Sequence, residues 1–255
     1  MIVELFGPPG AGKSTFARAL AARLRELGHC AELIPSARPR EEQASLASAS
    51  SLERLAASIG GVASLRVIRA AAQAMDATIG ANSRENGDAA AALLAKAFHP
   101  KDFLRSIRLR QYAHRLMRRW DYASKKNGVV IFDQAYVQLL VSYVLLSRQV
   151  GDEEIEKLID VLPKADLLIK VDEDAAVIEQ RLRDREREQS YIERFLELGL
   201  QTNLESIDVV FRLERLLRRR GVETCDGSSL DGMFLQRMAK AASAIVEENR
   251  GRTVS

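Results

Sequence analysis

Along this chain, short solid blocks of aliphatic residues alternate with longer stretches in which apolar residues recur three or four positions apart. The blocks are Ile2 to Phe6, Ala31 to Pro35, Val129 to Asp133, Leu167 to Val171 and Val222 to Cys225, each bounded by glycine, proline or acidic residues. Blocks of four or five residues with this composition predict strands, and the spaced stretches between them predict helices. Strands alternating with helices imply an α/β domain with a mostly parallel sheet covered on both faces, its ligands lying at the carboxyl ends of the strands. Asp133 and Asp172 fall at two such ends.

The interval between the second and third blocks is too long for a single crossover. Arg40 to Asn127 therefore predicts several helices, about Glu42 to Ser58, Gly61 to Ile79, Gly87 to Phe98 and Lys101 to Lys126. The organisation expected is one domain over 1–255, with a helical insertion over 42–127 on the acceptor side and a lid segment over 174–195. Alanine- and serine-rich runs within the insertion carry aliphatic residues at helical spacing, which favours packed helices over low-complexity chain.

Chemistry enters where the first block meets its helix. Gly7 to Thr15 reads GPPGAGKST and fills the phosphate-loop pattern G-x-x-x-x-G-K-[ST] between a strand and a helix. A glycine-rich turn into a helix leaves several N–H groups convergent, with the positive end of the helix dipole behind them. The candidate phosphate ligands are Gly7, Gly10, Ala11, Gly12, Lys13, Ser14 and Thr15. Lys13 would reach the β- and γ-phosphates, and the Ser14 hydroxyl would ligate magnesium. The helix that follows places Phe16, Leu20, Leu24 and Leu27 at apolar spacing and stops at Gly28.

Asp133 ends the third block, where an acidic residue serves either to hold magnesium through water or to take a proton from an attacking hydroxyl. Capping the following helix is the competing role. The run RLRDRER, Arg181 to Arg187, follows the fourth block. On a helix Arg181 and Arg185 share a face and would close over a triphosphate; the alternative is a solvated face whose arginines pair with the interleaved Asp184, Glu186 and Glu188.

GPPGAGKST, VVIFDQ, ADLLIKVDEDAAVIEQRLRDRER and GVETCDG, in this order and spacing, resemble the nucleoside and nucleotide kinases, in particular thymidylate-kinase-like proteins. The resemblance covers both ends of the chain and leaves out the middle. It implies a three-layer P-loop fold with five parallel strands in the order 2-3-1-4-5, ATP and Mg²⁺ as cofactors, and lid roles for Arg181 and Arg185. It also implies that Asp226 and Gly227 border the base. Two departures argue against thymidylate as acceptor. Asp133 is followed by Gln134 where many members have arginine, and Ser36-Ala37-Arg38-Pro39-Arg40 replaces the Arg-Glu-Pro of many members. The acceptor then carries its anion elsewhere or is an uncharged alcohol.

Candidate acceptor residues are Arg38, Arg40 and Gln134, with Arg108 and Arg115 on the arginine-rich segment Lys101 to Lys126. An ordinary amphipathic helix burying Leu104, Ile107, Leu116 and Trp120 explains the same segment. Composition narrows the partners. A net charge of +3 over 255 residues and only 5% aromatic residues do not point to nucleic acid. Two cysteines, Cys30 and Cys225, and three scattered histidines offer no disulfide framework or zinc site. The expected setting is cytoplasmic, with no export signal and no membrane span. A nucleoside triphosphate and a small-molecule acceptor are the expected partners, and a homodimer is compatible with the chain.

These readings add up to an ATP-dependent phosphotransferase, with Lys13, Asp133, Arg181 and Arg185 as its catalytic candidates and Ser14 and Asp133 as its metal candidates. The alternative is a nucleotide-dependent switch or regulatory ATPase, with Gln134 placing the water and the helical region binding a protein or nucleic-acid partner.

Overall fold

The computed structural model describes residues 1–36, 103–147, 150–188 and 200–254. The expected helices before residue 103 lie outside them, as does the end of the expected lid beyond residue 188. Five strands form one parallel sheet: β1 (Ile2–Phe6), β2 (Ala31–Ile34), β3 (Val129–Phe132), β4 (Leu167–Asp172) and β5 (Cys225–Ser228). Their spatial order is β2-β3-β1-β4-β5, as the resemblance implied. The helices are α1 (Lys13–Glu26), α2 (Phe103–Ser124), α3 (Tyr136–Leu146), α4 (Asp152–Val161), α5 (Ala175–Glu188), α6 (Leu200–Arg219) and α7 (Gly232–Val254).

Strands covered on both faces must be apolar on both, which is why they read as solid blocks rather than alternating ones. Alternate residues of the inner strands feed two cores. Ile2, Phe6, Val130, Phe132 and Leu168 pack with α2, α3, α4 and α6. Val3, Leu5, Ile131, Ile169 and Val171 pack on the opposite side with α1, α5 and α7. Trp120 of α2 stacks on Phe132 at 5.3 Å and meets Tyr136 edge-on at 5.0 Å, so this part of the arginine-rich segment has the buried face of an amphipathic helix. None of the helices among the described residues is long and apolar enough to cross a membrane.

One strand differs from its expectation. The block Val222 to Cys225 predicts β5, yet the strand runs Cys225–Ser228, with Ile169 opposite Cys225 and Asp172 opposite Ser228. Val222 N–H instead donates to Leu217 O at 2.9 Å and Gly221 N–H to Arg218 O at 3.1 Å. This pair of bonds closes the end of α6, so the apolar Val222 completes a helix terminus and packs against the core rather than opening a strand.

Candidate active site

The phosphate loop leaves β1 at the carboxyl edge of the sheet, next to the ends of β3 and β4 on either side. Two glycines are required by their surroundings. At Gly7 (φ +148°) an added Cβ would lie 2.1 Å from Val171 O, a backbone atom of β4. Gly12 precedes α1 in the left-handed region (φ 91°), and a Cβ there would lie 2.3 Å from Ser229 Oγ, just beyond β5. The loop is thus held between β4 and the β5–α7 turn. Ala11 is fully buried, and its N–H donates to Pro8 O at 3.2 Å. Thr15 is exposed one position beyond Ser14.

Lys13 is 6% exposed, and its ammonium donates to Gly7 O and Pro8 O, both at 2.8 Å. A lysine folded onto its own loop's carbonyls is a cation held where β- and γ-phosphate oxygens can replace those carbonyls. Ser14 Oγ donates to Asp133 Oδ2 at 2.7 Å, which joins the start of α1 to the end of β3. Asp133 is 2% exposed and also accepts Ser36 N–H at 2.5 Å and Ser36 Oγ at 3.2 Å. Three donors thus hold a buried carboxylate in place. Ser36 was not among the sequence candidates; it lies two residues beyond β2, where that strand's carboxyl end meets Asp133.

The arginine run divides. Arg183 pairs with Glu179 and Arg187 with Asp184 along α5 itself, the solvated pattern of the alternative reading. Arg181 behaves differently. Its Nη1 donates to Gly10 O of the phosphate loop at 2.9 Å, and its Nη2 stands 3.7 Å from Glu173 Oε2. Glu173 in turn accepts Ser228 Oγ at 3.1 Å, linking the β4 end, α5 and the β5 end. Arg185 belongs to α5, but its side chain is outside the described residues.

On the other side of Asp133, Gln134 O accepts the Tyr112 hydroxyl at 3.3 Å. Burial, with Glu4 and Asp133 nearby, pushes the Tyr112 phenol far above its usual range, so it stays neutral and acts as a hydrogen-bond donor. Arg119 Nη1 donates to Pro35 O at 3.1 Å, which brings α2 to the end of β2. Arg115 lies one turn earlier, and burial together with the Arg119 guanidinium lowers its pKa. Arg108 lies on α2 with its side chain outside the described residues, and Arg38 and Arg40 fall outside them entirely.

Beyond β4, Asp226 accepts Arg218 Nη2 at 3.1 Å on α6, and Gly227 packs its Cα against the Phe234 ring. Just beyond β5, Ser229 lies against Gly12 of the loop.

Glu4 went unremarked as a site residue, although an acid inside the aliphatic block IVELF is a visible signal. It is 1% exposed in the middle of β1 and accepts Val137 N–H at the start of α3 at 2.6 Å. Burial pushes its carboxyl up to about 8, with the α3 N–H groups of Val137 and Gln138 acting in the opposite direction.

No protein-family model and no curated protein matches the sequence. Among solved structures, the chain is similar to deoxyadenosine kinase from M. mycoides with the products dCMP and a flexible dCDP bound. The identity is 15% and the TM-score 0.50, over 96% of this chain and 100% of that one. The same enzyme with bound dCTP gives 16% identity and a TM-score of 0.44, over 96% of this chain and 100% of that one. With bound dATP the values are 14% and 0.42, over 100% of both chains. At such identity the likeness speaks for the fold: the sheet order and the helices on both faces are those of a P-loop kinase fold.

Proposed function

We propose that the chain is an ATP-dependent phosphotransferase that moves the γ-phosphate of MgATP to the hydroxyl of a small acceptor, with nucleosides the first class to try. The observation that carries this reading is the 2.7 Å contact between Ser14 and Asp133, beside a Lys13 poised on the loop carbonyls and an Arg181 reaching the same loop. Phosphoryl transfer asks a protein for position and charge neutralisation rather than covalent chemistry. Lys13 and Arg181 supply positive charge on two sides of the expected polyphosphate. The Ser14 hydroxyl and the Asp133 carboxylate form a hard-oxygen pair that fits magnesium, which keeps most of its own waters and binds through one or two protein oxygens and the phosphates. Magnesium held by Ser14 and Asp133 would supply charge neutralisation during transfer.

Nucleosides come first because the fold is shared with a deoxyadenosine kinase. The Tyr112 hydroxyl and the Arg115–Arg119 pair, close to the ends of β2 and β3, are the polar groups proposed to meet the acceptor. Arg181 on Gly10 O favours a kinase over a switch, because a guanidinium reaching across the loop helps enclose the phosphates and exclude the water that competes with the acceptor. Lys13→Ala tests the reading. Acceptor-dependent ATP consumption is expected to fall about a hundredfold or more, with an unchanged circular dichroism spectrum. Unchanged turnover in that variant refutes it.

A further inference from the structure

Two buried contacts outside this chemistry tie the start of the phosphate loop to α3. Val137 N–H donates to Glu4 Oε1 at 2.6 Å, and Gly7 N–H donates to Gln138 Oε1 at 3.2 Å. Val137 and Gln138 lie in the first turn of α3, whose N–H groups have no acceptor within the helix, and Ala135 ahead of it provides no side-chain cap. Glu4 takes over that task from the neighbouring strand and fixes α3 to β1. Gln138, 7% exposed, then reaches from the same turn to the first residue of the loop. Asp133 stands three residues before α3. A single helix start therefore places both the carboxylate that meets Ser14 and the amide that meets Gly7.

Gly7 is restrained on three sides. Its N–H is bound by Gln138, its Cα lies against Val171 O, and its carbonyl accepts Lys13 Nζ. The Lys13 ammonium carries three N–H donors, two of them on the Gly7 and Pro8 carbonyls, so this third restraint changes when Lys13 turns towards a β- or γ-phosphate. The Gln138 bond is a side-chain restraint on Gly7 that does not depend on where Lys13 points. We propose that Gln138 is a positioning residue for the nucleotide site: acting through Gly7, it keeps the start of the phosphate loop aligned with Asp133 whichever oxygens Lys13 contacts. This rests on the reading that the loop takes a polyphosphate. It adds to that reading a residue that touches neither nucleotide nor metal.

The test is calorimetric titration of the full chain with MgATP and with AMP, in wild type, Gln138→Met, Lys13→Met and the double variant, with thermal melts alongside. Gln138→Met keeps length and bulk and removes the acceptor; Gln138→Leu serves if the first fails to fold. A neutral hydrogen bond lost from the loop is expected to weaken MgATP binding about fivefold, with AMP affinity unchanged within about twofold. In the Lys13→Met background the same change is expected to weaken MgATP binding by a similar factor, because the Gln138 bond does not pass through the ammonium. Equal weakening of ATP and AMP, an effect of Gln138→Met that disappears in the Lys13→Met background, or failure of both Gln138 variants to fold overturns the proposal. A wild type that prefers ATP, with Gln138→Met keeping that preference in full, overturns this inference and leaves the kinase reading standing. A wild type that binds ATP no better than AMP overturns both.

Discussion

Replacing Glu4 with Gln should change how the stability of this protein depends on pH. In the folded chain the Glu4 carboxyl sits 1% exposed in β1, and burial raises it from 4.5 to about 8. In the unfolded chain it titrates near the lower value. Between the two, the folded state holds a proton that the unfolded state has released. Raising the pH therefore favours unfolding, by about 1.4 kcal/mol per pH unit. The contribution is level below 4.5, falls as the pH rises towards 8, and is level again, at its lowest, above that value. From pH 5.5 to 7.5 the loss is about 3 kcal/mol, a substantial part of the roughly 5–15 kcal/mol that holds a domain together.

Gln is the informative replacement because its amide oxygen can still accept Val137 N–H while carrying no titratable proton. Urea unfolding of both proteins at half-unit steps from pH 5.5 to 7.5 gives the comparison, since pH effects at other sites cancel in the difference. Wild type should lose about 3 kcal/mol relative to Glu4→Gln, a relative midpoint shift of about 1 M urea. Parallel curves for the two proteins refute the reasoning. They would show that Glu4 is ionised throughout, with the α3 terminus outweighing burial.

Two further substitutions test the site. Gly7→Ala drives a Cβ to within 2.1 Å of Val171 O, which as backbone cannot step aside. A loss of about 2–5 kcal/mol in chemical denaturation is expected, and a cost under about 1 kcal/mol would mean the loop is not wedged against β4. Asp133→Asn keeps an acceptor for Ser36 N–H but removes the charge. Turnover is expected to fall about a hundredfold or more with ATP affinity held within a few-fold, measured by steady-state kinetics and calorimetry, and turnover within twofold of wild type would leave Asp133 a structural cap.

The parts of the fold legible in the sequence are those with a strong local cause. Strands buried on both faces must be aliphatic, so four of the five appear at their blocks to within a residue. The exception, β5, shows where local composition misleads. A β-branched residue beside the core signals a strand, but Val222 is in the core because it closes α6, while the strand itself reads Cys-Asp-Gly-Ser. The turn from β1 into α1 was legible because the backbone of a tight strand–loop–helix turn restricts which residues fit, as Gly7 and Gly12 show. The arginine run was only half legible. Spacing shows that Arg181 and Arg185 share a face, but not that Arg183 and Arg187 settle on neighbours within the helix while Arg181 crosses to Gly10. Ser36, Glu173, Gln138 and Ser229 escaped for a common reason. Each meets its partner far along the chain, at the sheet's carboxyl edge or on a helix beside it, where no sequence period records who stands next to whom. Glu4 and Gln138 did leave a trace, as polar residues inside apolar blocks. That trace says a partner exists without saying which one.

The central claim is that the loop holds ATP so that its γ-phosphate goes to an acceptor rather than to water. It is tested most directly by following ADP formation from MgATP in the presence and absence of a panel of nucleosides, nucleotides and sugars. The account predicts slow ADP formation alone and a large stimulation by one acceptor class, with the phosphate recovered on that acceptor. ADP formation at full rate without any acceptor, unaffected by every member of the panel, would contradict it and make the chain a nucleotide hydrolase or switch.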